Sequence, residues 1–295
     1  MKTLFCAFII FLHSSLTTVS AADIIIDTQW LKANIDNPNL VLIDMSDETQ
    51  YQRFHIRNAI QLPYHVLNQT LKNRVSISIG SHNIVKLLGL LGISPSSHVV
   101  IYDDTGGLHA GRLFWELERV NHKNVSLLDG GLVKWILDGN PVTATPFQPK
   151  MKTLYPAPKV FNKNTIATID DVLPDSRAKN TLLIDVRSKE EYLGHIKRRR
   201  SGHIPGAKLW SWDNAINFEN QFKFKESKKL KTELGKIGLI QKHQPVVLYC
   251  RSAHRASQSY VTLRSLGFKN VKVYDGSMKQ YEISANAPVT KGPKP

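Results

Sequence analysis

Two cysteines in 295 residues are too few to staple a chain of this length, so a disulfide-built scaffold is excluded. Long apolar runs are missing too. The most apolar stretch, Leu4 to Leu12, falls well short of the roughly 20 residues that span a bilayer. Acidic residues are scarce, 24 Asp+Glu against 39 Lys+Arg. No histidine spacing suits a metal site, and no glycine-rich nucleotide loop follows a strand in the required context. Gly106-Gly107 resembles such a loop only superficially. With 42% hydrophobic and 21% charged residues, the composition is that of an ordinary globular protein, and disordered, collagen-like and low-complexity readings drop out. The length is about twice that of an average domain, which predicts two.

What the chain does have begins with a positive start at Lys2, the short apolar run, and small residues up to Ala21-Ala22. This pattern predicts a signal peptide over residues 1–22, cleaved near Ala22, and hence a periplasmic or secreted protein without stable membrane attachment. Cleavage removes Cys6 and leaves Cys250 as the single thiol. An odd cysteine in an exported protein points to intermolecular pairing or to a reactive thiol. Much of the positive charge lies in Lys197 to Arg200 and between Lys223 and Lys242. Without an aromatic-interleaved motif it reads as solvated surface, not a nucleic-acid interface, and it suits attraction of a small anion.

The chain then repeats itself. Leu40-Val-Leu-Ile-Asp44 matches Thr181-Leu-Leu-Ile-Asp185, His55-Ile56 matches His203-Ile204, and Val99 to Tyr102 matches Val246 to Tyr249. Val125 to Gly130 matches Val271 to Gly276. The offset stays between 141 and 148, which marks two copies of one domain. Its drift places a seven-residue insertion in the second copy, between Leu193 and Gly202. The predicted units are residues 23–143, a proline-rich linker over 144–164, and residues 165–295. Short runs that are apolar without alternation predict strands buried on both faces, and segments of helical spacing lie between them. The helix expected at Ser257 to Leu266 ends at Gly267. The expected fold class is α/β, each copy a mostly parallel sheet flanked by helices.

Ligand sites in such sheets lie beyond the carboxyl ends of the strands. Cys250 falls there, directly after Val246 to Tyr249 and before Arg251, Ser252, Ala253, His254 and Arg255. Backbone N–H groups gathered at the following helix start, with Arg251 and Arg255 beside them, favour a thiolate. Thiols so placed have pKa values lowered from ~8.5 to roughly 3.5–7.5. The aligned residue of the first copy is Asp103, so only the second copy can perform thiol chemistry. Cysteine phosphatases enclose a tetrahedral phosphate in a loop with five residues between cysteine and arginine. Here four intervene, which suits a cysteine carrying one extra sulfur atom.

From about Asp27 to Val289 the sequence resembles the rhodanese family, specifically its two-domain sulfurtransferases. The resemblance rests on Tyr249-Cys-Arg-Ser-Ala-His-Arg-Ala256, Asp185-Val-Arg187 with Glu191-Tyr192, Ser201-Gly-His-Ile-Pro-Gly-Ala207, and Tyr274-Asp-Gly-Ser277. It implies tandem rhodanese-like domains, the first inactive, and a sulfur atom carried as a Cys250 persulfide from thiosulfate to cyanide or a thiol acceptor. Backbone N–H groups from Arg251 to Arg255 would hold the charge. Arg251 and Arg255 would bind the anionic donor, and Asp185 and Arg187 would support the loop. No cofactor and no metal are expected, and a monomer suffices. His203 is expected to pack or hydrogen-bond, because His55 holds its place in the copy without a thiol, and His254 is expected to be a loop residue. Trp210 and Trp212 suit a pocket wall or core filling equally. The chain departs from the family at Ala253, where glycine is common, and at Glu191, where vertebrate-type members carry a substrate-binding arginine. The Lys197 to Arg200 run is a candidate substitute for that arginine. A mercaptopyruvate donor, a sulfur carrier that does not turn over, and a phosphatase or arsenate reductase on a related fold are the alternatives.

Overall fold

The computed structural model describes residues 23–149, 152–198 and 200–295. The segment read as a signal peptide, with Cys6, lies outside them, as does Arg199. Each copy builds a five-stranded sheet in which every pairing is parallel. In the first, the spatial order is Ile25–Ile26, Val125–Leu128, His98–Tyr102, Leu40–Asp44, Ala59–Gln61. The second has the same order: Ile166–Ala167, Val271–Tyr274, Val246–Tyr249, Leu182–Asp185, Lys208–Leu209. Each copy also carries a small antiparallel hairpin, Asn68–Thr70 with Ser76–Ser78 and Ile216–Asn217 with Lys223–Phe224.

The strands lack polar alternation because both faces are covered. Along the central strand of the second sheet, Val246 and Leu248 enter one apolar cluster and Val247 and Tyr249 another, which is the period-two alternation of a strand. The first of these clusters is shared by both copies, with Val99, Ile101 and Leu113 on one side and Leu248 and Val261 on the other. Its centre is the crossing of two equivalent helices, Ala110–Arg119 and His254–Ser265. The crossing is close at Gly111, where an added Cβ would lie 2.7 Å from Gln258 Cα. Any larger residue there would push the helices apart.

The proline-rich linker packs against the first copy. Tyr155 is buried and its hydroxyl meets His122 Nδ1 at 3.0 Å, while the Thr153 N–H donates to the Gly89 carbonyl at 2.9 Å. The two copies also exchange hairpins. The Asp129 carboxylate accepts the Phe224 N–H at 2.8 Å, and Asp275 accepts the Ser78 N–H at 2.9 Å.

Candidate active site

Cys250 sits at the carboxyl end of the strand Val246–Tyr249 and keeps its alternation, so its side chain points to the face shared by the two copies. It is buried, with 1% of its surface exposed, and belongs to the shared apolar cluster. The helix starts at His254, earlier than the sequence pattern predicts, because Ala253 takes the left-handed conformation, φ 60°. That turn swings the chain from strand to helix in four residues, Cys250 to Ala253, and puts both His254 and Arg255 in the first helical turn. His254 is therefore a helix residue, which corrects the loop assignment. The strain expected for an alanine methyl group at a positive φ is present.

The amides are arranged differently from the expected ring. The Cys250 and Ala253 N–H groups both donate to the Ser277 hydroxyl oxygen, at 3.2 and 3.1 Å. The N–H groups of Arg251, Ser252, His254 and Arg255 have no acceptor among the described residues. Ala253 is thus removed from the set of amides expected to face an anion, and four open donors remain beside the thiol.

The first copy shows such a loop occupied. Asp103 is 1% exposed and accepts four backbone N–H groups. Those of Thr105 and Gly107 reach Oδ1 at 3.0 and 2.8 Å, and those of His109 and Ala110 reach Oδ2 at 2.8 and 3.0 Å. A carboxylate built into the chain fills the place held by the thiol in the other copy. Above it, Ile216 and Phe224 of the second copy pack on Gly106 and Gly107.

Neither arginine expected to bind a donor is free. Arg251 donates to the Glu282 carboxylate at 2.8 Å and Arg255 to Glu191 at 2.5 Å. Burial works against the Arg255 charge, but the Glu191 carboxylate and the nearby Cys250 outweigh it and raise its pKa. Burial likewise works against Glu191, yet the Arg255 bond brings its pKa below the usual carboxylate range. Glu191 also completes a capping box with Ser188 at the start of the helix Lys189–Leu193, which gives this departure from the family a local cause.

Asp185 and Arg187 form a buried pair, at 2.6 Å, and Arg187 also donates to the Gly202 carbonyl at 2.7 Å. His203 is buried, stacked on Tyr192, and bonded to the Tyr192 and Lys294 carbonyls. Trp210 is buried core, while Trp212 is half-buried against it. Beside the loop lies a cavity of about 420 Å³ whose lining includes Arg187, Glu191, Arg198, Arg251 and Glu282. Arg198, from the insertion, therefore reaches the same cavity as Arg251. Arg200 lines this cavity as well, and it donates to the Tyr281, Ser284 and Ala287 carbonyls at the end of the helix Ser277–Ile283.

Three residues were missed because they come from the first copy. Tyr64 lies on His254 with ring centroids 4.0 Å apart, and His109 stacks on the same ring at 4.9 Å. Burial above all raises the Tyr64 phenol to about 12; Arg112 works against the rise and Cys250 adds to it. Arg112, fully buried, donates to Asp275 at 3.0 Å. Burial, with His109, Arg112 and Arg255 nearby, lowers His254 to about 3, so the ring is neutral at physiological pH. No group of three or more metal-binding side chains occurs among the described residues.

A duplicated parallel α/β protein with one thiol at a strand-to-helix turn defines the class. The Rhodanese-like domain family matches residues 27–138 and 168–284, so this chain belongs to the rhodanese family and is a sulfurtransferase of the two-domain kind. It is 32% identical over 287 residues to the Mycobacterium bovis protein named "Putative thiosulfate sulfurtransferase 1", covering 93% of this chain and 100% of the relative. It is 31% identical to the sulfur carrier protein TtuD of Thermus thermophilus, covering 92% and 97%. Among solved structures, SseA from Escherichia coli, a 3-mercaptopyruvate sulfotransferase, shares the fold with a TM-score of 0.76 at 24% identity, over 87% of this chain and 99% of that one.

Proposed function

We propose that the protein transfers the outer sulfur of thiosulfate through Cys250. The observation that carries this reading is the contrast between the two loops at equivalent strand ends: in the first copy a carboxylate accepts four amides, and in the second a thiol is followed by amides that have no acceptor among the described residues. The Cys250 thiolate attacks the sulfane sulfur, the S–S bond breaks, and sulfite leaves with the bonding pair. The persulfide anion keeps the single negative charge, which the open N–H groups stabilise without reorganisation. Cyanide or a thiolate then takes the outer sulfur and restores the thiolate, a covalent two-step cycle. His254, lowered to about 3, is too weak a base to assist, and a thiolate needs none.

Arg251 and Arg255 bind the donor only after exchanging their carboxylates for it. Both carboxylates are partly exposed and line the cavity, so the exchange replaces one charge-assisted bond by another. The loop with four intervening residues still disfavours a phosphatase or arsenate reductase. Mercaptopyruvate remains the alternative donor. The relatives' names favour thiosulfate, and the cation Arg251 in the loop supports a small dianion. A carrier that loads sulfur without cycling is the second reading, favoured by the deep burial of Cys250 and its guarded arginines. Export by the segment 1–22 completes the proposal and is tested by cell fractionation with N-terminal sequencing of the product.

The deciding experiment is the intact mass of the protein with thiosulfate and then with cyanide. One sulfur atom is expected to appear and then vanish, and Cys250→Ser is expected to show neither step. Loading without steady-state turnover selects the carrier. Absence of loading by either thiosulfate or mercaptopyruvate overturns the proposal.

A further inference from the structure

Ser277 is buried and left-handed, with φ 48°, a conformation in which a residue other than glycine is uncommon. Strain of this kind persists only where the surroundings impose it, and it clusters at functional sites. The hydroxyl is saturated: it accepts the Cys250 and Ala253 N–H groups and donates to the Tyr274 carbonyl at 2.7 Å, which uses its one donor and both acceptor sites. The first copy supplies the control. Its counterpart is Gly131, φ 52°, after the same Asp-Gly pair. In both copies the next residue donates to the carbonyl at the head of the loop, Leu132 to Asp103 at 3.0 Å and Met278 to Cys250 at 3.1 Å. The two turns share the left-handed residue and this amide–carbonyl bond, but they differ one residue earlier, where Gly130 is left-handed (φ 73°) and Gly276 is not (φ −66°); the hydroxyl is present only in the copy that carries the thiol.

We propose that Ser277 is a positioning residue for the Cys250 loop, and that the first copy holds its turn in place through Asp275. By binding the Ala253 N–H, the hydroxyl fixes the left-handed turn, and the turn sets where the open N–H groups of Arg251, Ser252, His254 and Arg255 point. Two residues before Ser277, the Asp275 carboxylate is held from the first copy by Arg112 at 3.0 Å and by the Ser78 N–H at 2.9 Å. The turn is therefore fastened at one end to the copy without a thiol and at the other to the reactive loop. The first copy thus shapes a site to which it contributes no thiol.

The proposal rests on Cys250 as the sulfur-bearing thiol, and its test keeps the two apart. Ser277→Ala and Ser277→Gly are compared with wild type for sulfur loading from thiosulfate, for Cys250 alkylation by iodoacetamide at fixed pH, and for Tm. Both variants are expected to load sulfur at least about tenfold more slowly, as displaced reacting groups do, with the loss in kcat and little change in KM. Alkylation is expected to slow as well. The glycine variant needs no strained φ, so it carries the test if the alanine variant does not fold. Wild-type loading and alkylation in either folded variant overturn the proposal. A role confined to stability predicts a lowered Tm with kinetics unchanged, which also overturns it. In wild-type protein the Cys250 and Ala253 amides are expected to be protected from hydrogen exchange relative to Arg251 and Ser252, and equal exchange at all four sinks the idea without any variant. Wild-type protein that alkylates normally but gains no sulfur would end the proposed function and leave the role of Ser277 standing.

Discussion

The two copies are nearly interchangeable away from their loops. Tyr102 and Tyr249 hydroxyls accept the N–H groups of Ile56 and Ile204, at 3.0 and 3.1 Å. His55 and His203 stack on Tyr51 and Tyr192 and bond the same carbonyl positions. Divergence is concentrated where chemistry is possible. One loop ends on a carboxylate and packs against Ile216 and Phe224. The other ends on a thiol, bordered by Tyr64, His254 and paired arginines. A common scaffold fixes where the first side chain of the loop sits, and one residue decides whether that side chain is a carboxylate or a thiol.

The sharpest way to break this comparison is to move the first copy's residue into the second. Cys250→Asp is expected to abolish sulfur loading by intact mass while leaving the far-ultraviolet circular dichroism unchanged. Across the boundary between copies, Arg112→Met leaves Asp275 without its buried cation and Glu116 with Arg119 alone. It is expected to lower stability in urea by about 3–5 kcal/mol, the usual cost of breaking a buried pair. In the first copy, Asp103→Ala strands buried amides and is expected to cost about 1–3 kcal/mol or more, with Cys250 loading retained; equal loss of loading would show that the loops are coupled. Glu191→Gln keeps a capping acceptor but releases Arg255. A partly exposed pair of this kind is worth about 1 kcal/mol at most, so KM for thiosulfate is expected to fall by no more than about fivefold. A rise would make Glu191 a donor-binding residue. The smallest effect concerns pH. His254 is lowered to about 3 and stays neutral well above that value, so His254→Asn is expected to leave the shape of the pH–rate profile unchanged from weakly acidic to alkaline conditions. A lost limb in that range would reassign the histidine.

Most of the fold was legible because duplication and burial both leave marks in a linear sequence. The two-sided strands Leu182–Asp185 and Val246–Tyr249 read as apolar runs, and the repeat gave one domain twice. Cys250 stood out through its place after such a strand and its replacement by Asp103. The partners of Arg251 and Arg255 were not legible, since Glu282 and Glu191 come from distant helices whose approach depends on packing. Tyr64, His109 and Arg112 were hidden for the same reason: they act across the boundary, and no local pattern records which faces of two folded copies will meet. Ser277 did leave a signal, as a hydroxyl where the duplicate has Gly131, but its meaning depends on a positive φ that only coordinates reveal.

The exchange of hairpins, Asp129 holding Phe224 and Asp275 holding Ser78, has a consequence for how the molecule tolerates dilution. Mutual contacts of this kind are those of an isologous twofold dimer, here with both halves on a single polypeptide. Association between them is then intramolecular, and lowering the protein concentration does not separate the thiol-bearing half from the half that braces it.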